Sequence, residues 1–224
     1  MSPRRLAPRY GGSGGTLRRV TDEPQYLTHP ATSRWHDGVT IGERYATDMV
    51  VAHPMVPVEE LRMEPLAPML VPEEPRSGVL DPSECWHCPA RGREHWIWAD
   101  EHWHVVGAHD SGLPWIGGLA PNAHLRLDEL GPDEVTTMGV VIKRLAGAVQ
   151  SLDGVARTHF ARWGDGSAHF HLAFAARPLG MMQARGWMLE LWDDVLPRTD
   201  AGLLADHNRQ VAAAMAAMSG EALV

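Results

Sequence analysis

Cys85 and Cys88 are the two cysteines of the 224-residue chain, and they stand together as Cys85-Trp86-His87-Cys88. In a reducing compartment this spacing means metal or redox chemistry before structural bridging, and two cysteines cannot build a disulfide framework. His124 follows Cys88 by 36 residues, and His169 follows His124 by 45. Two thiolates and two imidazoles make the closed tetrahedral donor set that zinc selects in structural sites. Such a set leaves no open position for substrate. Cys85, Cys88, His124 and His169 are therefore expected to hold a scaffolding zinc ion, with His87 as an alternative to His124. A thioredoxin-like redox role is the usual rival of C-x-x-C, but no βαβ pattern surrounds it here.

The second chemical feature is Ala168-His169-Phe170-His171-Leu172-Ala173-Phe174. In a strand, alternate side chains share a face, so Phe170, Leu172 and Phe174 are expected to pack on the core while His169, His171 and Ala173 face a site. Two imidazoles on one rigid strand can divide two tasks, one as metal ligand and the other as nucleophile or base.

The elements that must position these residues follow from the surrounding pattern. Short β-rich runs at 95–99, 103–107 and 114–119 carry Trp, Val and Ile between polar breaks, which predicts an antiparallel meander. Pro132 suits a first helical position and Asp133 and Glu134 suit the helix dipole; Val135, Met138, Ile142, Leu145 and Val149 then recur at helical spacing until Gly154. Residues 155–163 and 168–176 read as a hairpin joined by Gly164-Asp165-Gly166-Ser167. Trp187, Met188, Leu191, Trp192 and Val195 line a short helix stopped by Pro197, and Thr199 or Asp200 caps a last helix running to about Met218. The expected class is α+β, an antiparallel sheet with helices packed on one side.

Four regions are expected: a flexible tail at 1–20, a Pro-rich extension at 21–83, a zinc-containing core at 84–180 and C-terminal helices at 181–224. The tail holds five arginines, no acid and a run of glycines, and within the extension 46–53 is the best strand candidate. The net charge of −8 argues against general nucleic-acid binding. No apolar stretch reaches the length of a membrane span, and the first 30 residues lack a secretory apolar core, so a cytoplasmic protein is expected.

The order of Cys85-Trp-His-Cys88, strands, Leu119-Ala-Pro-Asn-Ala-His124, a long helix and a hairpin bearing His169-Phe-His171 resembles the histidine-triad (HIT) superfamily. The resemblance spans about 85–178 and extends to its zinc-bearing branch and the related galactose-1-phosphate uridylyltransferases. It implies that Cys85, Cys88, His124 and His169 hold the metal. It implies too that His171 is a nucleophile, attacking the α-phosphorus of a nucleotide conjugate to give a nucleotidyl-histidine that passes to water or another acceptor. The chain departs from the family pattern at the third motif position, which is Ala173, and in Pro121-Asn-Ala-His124, which lacks the usual basic residue. The turn at 163–167 is also shorter than the usual glycine-rich loop. Ser167, Arg162 and Arg177 are the side chains expected to bind phosphate in compensation. The expected function is a nucleotidyl hydrolase or transferase acting on a small nucleotide conjugate. The alternatives are an inactive zinc-stabilised scaffold and an enzyme with a non-nucleotide substrate. Proteins of this superfamily commonly pair, which implies a homodimer.

Overall fold

The computed structural model describes residues 73–88 and 92–224, together with Pro65, Ala67 and Pro68. The Arg/Gly tail, most of the Pro-rich extension and its expected strand at 46–53 lie outside the described residues. Trp96–Ala99 (β1), Trp103–Val106 (β2) and Ile116–Pro121 (β3) form the expected meander. Its first turn is fixed by the Asp100 carboxylate, which accepts from the backbone N–H groups of His102 and Trp103 at 2.9 and 2.7 Å.

The long helix α1 covers Pro132–Gln150. Pro132 occupies its first turn, and the Glu134 carboxylate reaches back to accept from the Gly131 N–H at 2.9 Å, satisfying a donor that the helix itself leaves free. Val155–Ala161 (β4) and Leu172–Pro178 (β5) pair antiparallel. Two helices follow, Met188–Val195 (α2) and Ala201–Ala216 (α3), and the Asp200 side chain caps α3 by accepting from Leu203 N–H at 3.0 Å. A short strand, Glu221–Ala222 (β6), closes the chain against β1. The sheet runs β4-β5-β3-β2-β1-β6 with antiparallel neighbours throughout.

Two expectations are corrected, and one element is added. The helices do not share one side. Leu172, Phe174 and Ala176 of β5 pack into the main core with Val141, Leu145 and Val149 of α1 and Leu204, Val211 and Met215 of α3. Ala175, on the alternate face of the same strand, packs with Leu113, Ala184 and Leu189, so α2 covers part of the opposite face. A central strand flanked on both sides needs apolar cover on both, and α2 supplies it at the β5 end.

The hairpin is also wider than its turn residues suggest. β4 ends at Ala161 and β5 begins at Leu172, so His169 and His171 stand ahead of the strand in the connection. The reason lies in the backbone hydrogen bonds: Ala168 N–H donates to Ser77 C=O and Phe170 N–H to Leu125 C=O, which draws 168–170 out of the ladder. The added element is β6, which no periodicity announced. Gly220 enters it at φ +75°, where an added Cβ would lie 2.5 Å from the Ala99 carbonyl oxygen.

Candidate metal centre and active site

Cys85 ends a 3-10 turn, Pro82–Glu84, which is capped by the Asp81 carboxylate accepting from Ser83 N–H at 2.8 Å. The Cys88 N–H then folds back onto the Cys85 carbonyl. This tight knuckle aims both sulfurs at one point. His124 arrives from the end of β3, and His169 from the long β4–β5 connection. The ligand atoms of Cys85, Cys88, His124 and His169 all lie within 4.8 Å of one another, and among the described residues this is the group able to hold a metal ion. His87 lies outside it.

The donor set fits zinc. Around a tetrahedral zinc with sulfur near 2.3 Å and nitrogen near 2.0–2.1 Å, sulfur and nitrogen lie about 3.5 Å apart. The His169 Nδ1 is 3.5 Å from each of the two sulfurs, and the His124 Nδ1 is 2.9 Å from Cys88 Sγ. His169 Nε2 sits 2.9 Å from the Pro121 carbonyl oxygen, so Nε2 donates its hydrogen there and the Nδ1 lone pair faces the cluster. Burial lowers the His169 pKa to about 4, with His124 and His171 nearby adding to the effect, which keeps the ring neutral as a ligand must be. Burial and the neighbouring Cys85 push the Cys88 thiol up to about 12, so thiolate at this position depends on a cation. Gly78, at φ +80°, passes so close that an added Cβ would lie 2.8 Å from both Cys85 Cβ and His124 Cε1.

His171, two residues on from His169, borders a groove beside the cluster. Its Nδ1 is 2.9 Å from the His169 carbonyl oxygen. That acceptor fixes the hydrogen on Nδ1 and leaves Nε2 with its lone pair in the neutral ring. The ring of His87 stacks on His171 with centroids 4.5 Å apart and planes 21° apart. Burial, with His171 and His169 close by, lowers the His87 pKa to about 3. Both rings border a groove of about 250 Å³ whose other lining includes Ala108, His109, Asp110 and Gly118.

The side chains expected to bind phosphate lie elsewhere. Ser167 is buried with its Oγ 3.7 Å from Cys85 Sγ, beside the metal cluster. The Arg162 guanidinium lies 5.7 Å from the Phe170 ring centroid. Arg177 is at the far end of β5, donating to the Met181 carbonyl oxygen at 3.2 Å. Two further histidines stand beside His169 in places that the sequence left open. His87 reads only as a spare ligand inside C-x-x-C, because nothing in the spacing tells which way its ring turns. His104 is fully buried, stacked on Trp96 at 3.7 Å, and its Nδ1 is 3.2 Å from the Asn122 Oδ1. Burial, with His169 nearby, lowers its pKa to about 3.

No protein-family model matches the chain, and no curated protein does. Solved structures do match. The chain is similar to histidine triad proteins. One is a zinc-bound histidine triad family protein from Mycobacterium smegmatis, 22% identical, covering 55% of this chain and 84% of that one at a TM-score of 0.40. A histidine triad protein from Bradyrhizobium japonicum is 19% identical over 56% of this chain and 95% of its own, with a TM-score of 0.44. A uridylyltransferase mutant is 17% identical over 63% of this chain and 50% of its own, with a TM-score of 0.43. The functional reading therefore rests on the geometry of the site itself.

Proposed function

We propose that the protein is a nucleotidyl hydrolase or transferase in which His171 is the nucleophile and a zinc ion held by Cys85, Cys88, His124 and His169 is structural. The observation that carries this reading is the hydrogen bond from His171 Nδ1 to the His169 carbonyl, which leaves Nε2 as a free lone pair at the edge of a groove. The ion, when bound, supplies rigidity: it fixes His169, and the His169 carbonyl in turn orients His171.

In the reaction the Nε2 lone pair attacks the α-phosphorus and forms an N–P bond as the bond to the leaving group breaks. The leaving group departs with that electron pair and takes a proton from solvent. The ring, now cationic, keeps its Nδ1 hydrogen on the His169 carbonyl. Water or another acceptor then attacks phosphorus on the opposite side and gives up its proton to solvent, the N–P bond breaks with its electron pair returning to Nε2, and neutral imidazole is restored. The substrate class is a small nucleotide conjugate, with the α-phosphate at His171 and the remainder along the groove.

The test is turnover of adenylated, guanylated and uridylylated compounds by wild type and His171→Ala, with intact mass of trapped enzyme. Mutant-sensitive turnover and a nucleotide-monophosphate adduct are expected. A second reading, a zinc-stabilised binding protein without catalysis, draws on Ala173, which offers no hydrogen bond where the family motif has a third histidine. Absence of turnover and adduct across the panel, with metal bound and the fold intact, would overturn the first reading in favour of the second.

A further inference from the structure

A second recess lies beside the His171 groove on the same face of the sheet. Its volume is about 230 Å³, and Ile116 and Ala173 line both recesses, so the two adjoin at the position after His171-Leu172. Ala173 and Ala175 of β5 and His159 of β4 face it from the sheet. Trp163 of the connection and Trp187 at the start of α2 face it from outside. Both indoles are more than half exposed, at 56% and 53%. They are not idle surface. Trp163 Nε1 donates to the Glu190 carboxylate at 2.8 Å, which ties the first indole to the helix that begins beside the second.

Two features specify an occupant. The two alanines leave space over the strand, and at 173 a histidine ring would project into the junction between the recesses. Two indoles offer planar apolar surface of the kind that stacks on another ring. The size limits the choice further, because complete small-molecule pockets run to about 300–1,000 Å³. This recess has room for one ring system, not for a whole nucleotide conjugate.

We propose that the recess between Trp163, Trp187 and Ala173 binds a planar aromatic ring of the substrate. Its place in the reaction rests on the reading of His171 as the nucleophile. The ring belongs either to the nucleobase or to the leaving group, and the same chemistry recognises both. The loss of the third motif histidine is then part of the binding site, since it opens the passage from His171 to the indoles.

The experiment is calorimetric and tryptophan-fluorescence titration of the full chain with adenosine, with tryptamine, and with cyclohexylamine as a non-aromatic control. Wild type, His171→Ala, Trp163→Ala and Trp187→Ala are compared. Both tryptophans are exposed, so these variants are expected to keep the wild-type melting temperature. One aromatic probe is expected to bind, cyclohexylamine is not, and each tryptophan variant is expected to weaken binding at least tenfold while His171→Ala retains it. Adenosine as the binder assigns the recess to the base, and tryptamine assigns it to the leaving group. Failure of both aromatic probes at millimolar concentration would overturn the proposal, and so would binding that neither tryptophan variant weakens. That result is separable from failure of the His171 reading, which is measured by turnover and adduct alone.

Discussion

At the scale of single residues, the site is governed by which ring nitrogen carries a hydrogen. His169 and His171 are separated by one residue, yet their rings are fixed in opposite senses by two carbonyl oxygens. Pro121 takes the hydrogen of His169 Nε2, and His169 itself takes that of His171 Nδ1. The same burial that keeps such rings neutral links them to stability. His87 and His104 have pKa values lowered to about 3, well below the ordinary value of 6.5, so between those limits the unfolded chain binds protons that the folded chain refuses. Stability is complete above pH 6.5 and falls as the pH drops toward 3. The slope due to His104 alone is expected to be about 1.4 kcal/mol per pH unit within that window. Urea denaturation at pH 7.5, 6 and 5 measures this. His104→Phe, which keeps a ring on Trp96, should flatten the dependence, and an equally steep profile in that variant would refute the assignment.

Elements place these residues through contacts that pattern alone does not show. The long helix α1 is visible from its proline, its acids and its apolar spacing. The strands of the meander follow from their Trp, Val and Ile content. The two-residue β6 has no such pattern, but it has a clear role. The Leu223 N–H donates to Ile97 C=O, and the fully buried Trp98 donates its Nε1–H to Ser219 C=O at 2.9 Å. Deleting 219–224 leaves that indole without its acceptor and uncovers the β1 edge. The expected cost is about 1–3 kcal/mol from the orphaned donor alone, before any loss of packing. A truncated chain whose urea midpoint matches wild type would show that β6 is dispensable. Among the described residues no helix is long and apolar enough to cross a membrane.

At the scale of the whole molecule, the metal cluster ties three distant stretches: the knuckle at 85–88, the end of β3 and the β4–β5 connection. Structural zinc in small modules contributes about 10–16 kcal/mol of apparent binding energy, enough to decide whether such stretches stay together. Purified protein is expected to carry about one equivalent of zinc. Chelation, or Cys88→Ala, is expected to lower the melting temperature, with zinc restoring the chelated wild type and not the variant. Metal analysis and thermal melts in parallel check this; unchanged melting on full removal of the ion would exclude a structural role. That Cys85, Cys88, His124 and His169 could meet at one metal was legible because the chain has two cysteines, set as C-x-x-C, whose thiolates restrict what they bind, although its histidines number 13. The α+β class was legible too, since periodicity of 2 and of 3.6 follows from backbone geometry. The stack of His87 on His171, the burial of Ser167 at the cluster and the packing of α2 on the second face were not. Each depends on the direction a side chain or element takes once the chain has closed on itself. That direction is set by hydrogen bonds between residues far apart in sequence, such as Phe170 to Leu125, and no local pattern encodes them.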